Sequence, residues 1–599
     1  MKILPLIPAL LGALASLCLT AEARDPKPAK ETPSSPHLPK DAKHLKNLLR
    51  ELTKKGTVPP TSSGVARGDY NGDGFADLAV GIPGEDAGSI SAAGAVVVIY
   101  GSANGLVSEN TTALRVPAPQ FWSQASTGIS GGDESGDRFG TALAAGEFNG
   151  DAFSDLAIGV PGEDLSSGGT NIPNAGRVVI IYGSSAGLAA SGTSIVRAAQ
   201  SFDLVSGTAP TVITARISSE IFPENASLGQ TLAWGDFNGD TIGDLAIGAP
   251  NMAVKDDSAF FKDTEAGQVW VLFGSVRNGI IRTGSQLVTQ AGNLAFSGFG
   301  SPRGGWHNGA ALTAGDFNGD GTSDLVLSAP DATVGGKSEV GLFTVFPGVA
   351  GVGLDWGRGR FIGSGTVGVT SQPGEHFGFS FAVGDFDRDG RSDLAIGAPN
   401  QRSDAGAVHI LFGDATTLLD QESPQFCDQN SLFGSGREAG DRFGHSLAAG
   451  DFNGDTFADL AIGVPREDLA GTTDAGEINI VFGSGAGLTT TGSLPPQRLG
   501  DVNAQAGAQF GRSLSAWNFG RNQRIVLPLT GLILTLRAAD LAVGVPLKDI
   551  AGQVDAGAIH IFYGTSAGLT FTGEQEWTQN SPGIPGGSEA GDLFGGAAY

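Results

Sequence analysis

The chain has 599 residues, of which 94 are glycine, and Asp and Glu outnumber Lys and Arg by 62 to 36, for a net charge of −26. So acidic a chain is a poor match for nucleic acid, whose phosphates need a basic surface, and suits cations or basic partners. The glycines follow no G-X-Y period, which excludes collagen, and 40% hydrophobic residues are enough for a packed core.

Residues 1–23 read as an export signal. Lys2 is followed by the apolar run ILPLIPALLGALASLCL and by the small-x-small site at Ala21–Ala23. Residues 24–60 are a Pro- and Lys-rich linker, with one short amphipathic helix expected over its second half. Removal of the signal leaves Cys427 as the single cysteine, so no internal disulfide forms.

From residue 61 to 599 the chain repeats itself. Each unit has a phrase such as GDRFG, a short apolar strand, an acidic loop, a second strand ending in G-x-P, a third apolar strand and a weaker fourth. The acidic loops start at residues 69, 147, 236, 316, 385 and 451, with a degraded one near 518. A repeat of about 60–90 residues with four short strands fits a propeller blade, and no long helical period is present. The middle strands, such as AVVVIY from Ala95, are unbroken apolar runs, as expected where both faces of a sheet are covered. The first unit lacks its FG phrase and the C-terminus supplies one, EAGDLFGGAAY. The expected fold is therefore all-β: a seven-bladed β-propeller of four-stranded antiparallel blades, closed by the C-terminal strand pairing into the first blade.

Each acidic loop is a nonapeptide with side-chain oxygens at positions 1, 3, 5 and 9 and a usable main-chain carbonyl at position 7. In the first unit these are Asp69, Asn71, Asp73, Asp77 and the carbonyl of Phe75. The second gives Glu147, Asn149, Asp151, Phe153 and Asp155, and the third Asp236, Asn238, Asp240, Ile242 and Asp244. The fourth gives Asp316, Asn318, Asp320, Thr322 and Asp324. The fifth is the most acidic, with Asp385, Asp387, Asp389, Arg391 and Asp393; the sixth has Asp451, Asn453, Asp455, Phe457 and Asp459. A flexible loop of hard oxygens suits Ca²⁺, whereas Zn²⁺ would require His or Cys. The last ligand falls at position 9 and a strand follows, so this is not an EF-hand. In the seventh unit the carboxylates have become Asn518, Gly520 and Asn522, and an apolar insertion precedes Asp540, so loss of metal binding is expected there. That insertion reads either as a local hairpin or as an error in the coding sequence. The tripeptide Arg67-Gly68-Asp69 looks adhesive, but its Asp opens the first metal loop.

FG phrase, Asp-rich loop and G-x-P turn together resemble FG-GAP repeats, which build the propeller at the N-terminus of integrin α subunits. The resemblance spans residues 61–599. It implies Ca²⁺ in some of the loops and ligand or partner binding on the opposite rim. Alternation of turns in an antiparallel blade also separates the two rims: first-to-second and third-to-fourth strand turns share one, the remaining turns the other. The longest loops, at 162–174 and at 251–265 with Phe260 and Phe261, fall on the second rim, where recognition is expected. The seven histidines form no H-E-x-x-H motif, and His409 and His560 occupy equivalent strand positions that suggest a structural role. The expectation is a secreted, calcium-binding adhesion module with an extracellular protein or glycan ligand. The alternative is a polysaccharide-active hydrolase or lyase using rim carboxylates such as Glu163–Asp164 or Glu467–Asp468.

Overall fold

The repeat units fold as seven four-stranded antiparallel sheets, and the chain enters the first sheet at its second strand. Strands are named A to D within each blade. Blade 1 takes A from the C-terminus, Ala597–Ala598, with B Leu78–Ile82, C Ala95–Ile99 and D Gln120–Trp122. Blade 2 is Leu143–Gly146, Asp155–Val160, Arg177–Ile181 and Gln200–Asp203. Blade 3 is Thr231–Gly235, Asp244–Ala249, Gln268–Phe273 and Ile281–Val288. Blade 4 is Leu312–Gly315, Asp324–Ala329, Leu342–Phe346 and Arg360–Gly363. Blade 5 is Ser380–Gly384, Asp393–Ala398, Ala407–Leu411 and Gln425–Cys427. Blade 6 is Leu447–Gly450, Asp459–Val464, Glu477–Val481 and Gln497–Gly500. Blade 7 is Ser513–Trp517, Asp540–Val545, Ala558–Thr565 and Gly568–Trp577.

The computed structural model describes residues 68–108, 116–192, 196–204, 221–222, 224–255, 262–263, 265–288, 304–492, 494–526 and 533–599. The export signal, the linker with its helix, Arg67, Phe260 and Phe261 lie outside these residues. Among the described residues no helix is long and apolar enough to cross a membrane.

Strands B and C are buried along their whole length in most blades, LAVGI and AVVVI in blade 1 for example, because neighbouring blades cover both their faces. The A strands contact one another in series around the ring. The FG phrase explains itself at the blade interface. Phe139, Phe377, Phe443, Phe510 and Phe594 are fully buried. The glycine beside each lets two backbones meet: a Cβ at Gly140, next to Phe139, would stand 2.6 Å from the Ala95 carbonyl oxygen of the neighbouring blade.

The seam closes as the end sequences imply. Val80 pairs with Ala598 and Gly81 with Ala597, and the Ala79 amide donates to the Tyr599 carbonyl at 2.9 Å. Leu78, Val97 and Ile99 pack there with Ile559, Ile561 and Phe594, so this junction has an apolar core like the others. Hydrogen-bonding the last strand into the first sheet leaves no free edge at the junction. The insertion in blade 7 is a local hairpin, Gln523–Val526 paired with Ile533–Leu536. A short helix that the repeat pattern did not announce, Gln429–Phe433, decorates blade 5, and Arg402, Ser403 and Asp404 form a left-handed turn there.

Candidate metal centres

Five of the six acidic nonapeptides are A-to-B turns and that of blade 1 leads into strand B at the equivalent place, and each begins beside a buried aromatic at position 2: Tyr70, Phe148, Phe237, Phe317, Phe386 or Phe452. That ring anchors the loop on the blade while the polar positions fold back on themselves. Two left-handed residues make the fold-back, Gly72 (φ 72°) and Gly74 (φ 92°) in blade 1. Glycine takes this conformation at little cost. Arg388 at position 4 of blade 5 and Ala152, Thr241 and Thr456 at position 6 adopt it without being glycine.

The loop amides then meet the side-chain oxygens. In blade 1 the amides of Asp73 and Gly74 donate to the two oxygens of Asp69 at 3.0 and 2.8 Å. The Asp73 amide also donates to Asn71 Oδ1 at 2.9 Å, and the Phe75 amide to Asp73 Oδ1 at 3.0 Å. The same pattern recurs on Asp236, Asn238 and Asp240, with the Ile242 amide as last donor. It recurs on Asp316, Asn318 and Asp320, on Asp385, Asp387 and Asp389, and on Asp451, Asn453 and Asp455. These bonds hold positions 1, 3 and 5 on one side of the turn, and most of these oxygens keep a lone pair for another partner; Asp316 Oδ1 and Asp320 Oδ1, which each accept two bonds, do not. Among the described residues, no backbone amide donates to the position-7 carbonyls of Phe75, Phe153, Ile242, Thr322, Arg391 or Phe457.

Blade 2 differs because Glu147 has a longer arm. Its Oε1 takes the amides of Asn149 and Gly150 at 3.0 and 2.6 Å, two residues earlier in the loop than the pair that Asp69 takes. The position-5 amide that partners the position-3 side chain in the other blades does not reach Asn149. Asn149 is 3% exposed, and both its Oδ1 and Nδ2 are buried without a partner. A buried amide left unsatisfied costs about 1–3 kcal/mol, so a missing ligand is the natural complement. In blade 5, donor oxygens of Asp385, Asp387 and Asp393 lie within 4.8 Å of one another, close enough for one ion. Asp389, expected to join them, is instead in an ion pair with Arg391.

Position 9 does more than its nominal role. Asp77 is fully buried; its Oδ2 accepts from the Tyr70 amide at 2.8 Å and its Oδ1 from the Gly101 amide at 2.9 Å. Gly101 begins the C-to-D turn, so this carboxylate ties the two turns of one rim together. Asp155, Asp244, Asp324, Asp393 and Asp459 repeat both bonds, and so does Asp540 in blade 7. Sequence reasoning placed this residue among the ligands and missed the bridging. Its recurrence in the degraded seventh unit was the available signal.

Burial raises many of these carboxylates. It pushes Asp324 and Asp393 up to about 7 and Asp244 and Asp459 up to about 8, against the opposing amide donors. Asp451 rises to about 6, and Asp69, Asp73, Asp236, Asp385 and Asp387 are raised as well. Asp77 and Asp155 stand well above the usual range. A nearby cation would reverse this by favouring the charged forms. An all-oxygen set with a spare carbonyl fits Ca²⁺.

Blade 7 replaces the cage with direct bonds. Asn518 Nδ2 donates to Asn522 Oδ1 at 2.7 Å and to the Ala538 carbonyl at 3.0 Å. Arg521 lies over the Tyr563 ring at 4.5 Å and donates to the Asn104 carbonyl of blade 1 at 2.8 Å.

The carboxylates considered for catalysis are engaged elsewhere. Glu163 pairs with Arg177 at 2.7 Å and accepts from Gln124, and Asp164 accepts from the Asn174 amide at 2.8 Å. Glu467 accepts from Gln429 at 2.6 Å and Asp468 from the Asp474 amide at 2.9 Å. His409 is buried between Phe377 and Phe426, with ring centroids 5.4 and 5.3 Å away. His560 is buried against Glu574, with ring contacts to Phe510 and Phe562.

Seven antiparallel blades with acidic A-to-B turns define an integrin α-like class of propeller. The FG-GAP repeat model matches residues 62–99, 139–181, 228–272, 308–346, 377–411 and 443–480. The chain is thus an FG-GAP β-propeller resembling that of integrin α. It is 36% identical over 163 residues to integrin alpha-PS5 of Drosophila melanogaster, covering 26% of this chain and 15% of that one. It is 33% identical over 194 residues to phosphatidylinositol-glycan-specific phospholipase D of Bos taurus, covering 30% and 21%. It is 30% identical over 220 residues to integrin alpha pat-2 of Caenorhabditis elegans, covering 35% and 16%. The chain thus spans about a fifth or less of each of these relatives. A solved rhamnogalacturonan lyase of Bacillus licheniformis aligns over 61% of this chain and 63% of that one at 13% identity, with a TM-score of 0.27, too low to bear on fold or function.

Proposed function

We propose that the protein is an exported binding or adhesion module, stabilised by Ca²⁺ in the A-to-B turns, that takes an extracellular protein or glycan on the opposite rim. The observation that carries this reading is the repetition of one oxygen cage at the same place in five blades, with a variant in blade 2 that leaves Asn149 unsatisfied. Positions 1, 3, 5 and 9 with the position-7 carbonyl would hold the ion, and its chemistry would be structural charge neutralisation. The rim assignment follows from the position-9 bridges, which gather A-to-B and C-to-D turns on one side and leave the other turns for recognition.

The test is a melt with millimolar calcium and with a chelator. Extracellular sites of about 0.1 mM affinity contribute about 2 kcal/mol each at 2 mM calcium. Six would raise Tm by roughly 10 °C in a chain of this size. Superimposable melting curves would refute the calcium reading. A reducing-sugar assay on mixed glycans addresses the second reading; steady turnover would replace the binding module with a polysaccharide-active enzyme.

A further inference from the structure

The rim opposite the acidic loops carries a knot of positive charge, unexpected in a chain of net charge −26. Three segments meet at this end of blade 6: Arg442 to His445 leading into its strand A, Arg466 just after its strand B, and Arg512 leading into strand A of blade 7. The Arg466 amide donates to the Asp441 carbonyl at 3.3 Å and the His445 amide to the Arg442 carbonyl at 3.1 Å. A Cβ at Gly463 would stand 2.2 Å from the carbonyl oxygen of Gly511, which brings the third segment against the other two.

Elsewhere the arginines find acids: Arg177 with Glu163 and Arg402 with Asp428, both at 2.7 Å. Among the described residues, Arg442, Arg466 and Arg512 make no ion pair, and the one side-chain hydrogen bond of the three joins Arg512 to Gln509. Burial and the two neighbouring guanidiniums hold Arg512 below the usual arginine range. Burial and all three arginines hold His445 down to about 4. Arg442 Nε and His445 Nδ1 are both buried without a partner. Beside them Phe379 is 37% exposed, its ring 5.1 Å from that of His445.

Mutually repelling guanidiniums with unspent donors are a cost to the folded state unless an anion completes them. An exposed aromatic face next to them suits a sugar ring. We propose that Arg442, Arg466, Arg512 and His445 form a binding site for the carboxylate or sulfate groups of an acidic polysaccharide, with Phe379 as its stacking face. The site specifies the ligand class for the recognition rim and rests on that reading of the rim. The acidic loops do not oppose it. A six-residue strand separates the two rims by about 20 Å, well beyond the ~8 Å screening length at physiological salt.

Titration calorimetry with short oligogalacturonates, heparin oligosaccharides and neutral galacto-oligosaccharides tests the site, the first two distinguishing carboxylate from sulfate. Binding of one acidic probe, weakening with salt and falling about tenfold for each of Arg442→Gln and Arg512→Gln, is the expected result. Both variants should melt at or above the parent temperature, because removing one of three like charges relieves repulsion; a fall in Tm of several degrees would mark the arginines as structural and overturn the proposal. Acidic binding that both variants retain would also overturn it. Binding confined to neutral glycans or to matrix proteins would overturn the site and leave the binding module intact. No binding by any glycan or matrix protein would overturn both.

Discussion

The A-to-B turns of blades 5 and 7 separate two jobs that one motif conceals. Blade 5 keeps every acid, and three of its carboxylates converge within 4.8 Å. Blade 7 has exchanged the acids at positions 1, 3 and 5 for Asn518, Gly520 and Asn522, yet keeps Asp540 at position 9. Asp540 still accepts from the Phe519 and Gly564 amides at 2.8 and 2.9 Å. The persistent residue is therefore an architectural clamp between two turns, and the variable ones are where an ion would be chosen or refused. Blade 7 also shows how a turn stands without an ion: Asn518 and Asn522 bond each other, and Arg521 stitches the turn to the neighbouring blade.

The widest test of this division sets pH against calcium. In chelator, the carboxylates raised to about 6–8 by burial, Asp451, Asp324, Asp393, Asp244 and Asp459, stabilise the fold fully only below their unfolded value of about 4. That contribution is lost as pH rises through the folded values, so Tm should fall between pH 5 and 8, by on the order of 10 °C. Calcium would lower the same folded-state values and flatten or invert the slope. Parallel slopes in chelator and in calcium would break the link between these carboxylates and an ion.

The clamp is isolated by Asp540→Ala. Two buried amides lose their acceptor, at a cost of about 3–5 kcal/mol, or about 3–5 °C in Tm for a chain of this size. Because blade 7 lacks the other acids, the loss should be identical with chelator and with calcium. A loss that calcium repairs would mean that blade 7 binds metal after all. The converse variant is Asp385→Asn with Asp387→Asn in blade 5. It should lower Tm by about 2 °C in calcium and leave it unchanged or slightly raised in chelator, where like charges are relieved. Equal losses in both conditions would make positions 1 and 3 structural as well.

Most of the fold was legible because its cues are local and repeated. The unbroken apolar runs of strands B and C, the FG phrase and the divided first unit led to seven closed blades, and the pairing of Val80 with Ala598 agrees. The site was legible as a set of residues and not as a set of bonds. Nothing in the spacing of Asp393 shows that both its oxygens accept backbone amides, since the Gly413 amide comes from a turn 20 residues away. Nor does spacing reveal that Arg391, counted for its carbonyl, pairs with Asp389. The arginine knot was hidden for the same reason: Arg442 and Arg466 lie 24 residues apart in one repeat and Arg512 in the next, and the three meet only when blades 6 and 7 pack.

The finest distinction lies in blade 2, where Glu147 takes the backbone amide of Asn149 and the Asn149 side chain is left without a partner. If an ion satisfies Asn149, then Asn149→Asp adds a fourth negative ligand beside Glu147, Asp151 and Asp155, and ligand charge raises calcium affinity. If Asn149 is merely a strained turn residue, the new carboxylate is buried among like charges and only destabilises. The two cases differ in sign. An ion site predicts a Tm about 1 °C below the parent in chelator and about 1 °C above it in millimolar calcium. A fall in both conditions would remove blade 2 from the set of metal loops. It would leave Glu147 as a longer-armed version of what Asn518 does in blade 7, a residue that closes its turn through the protein's own hydrogen bonds.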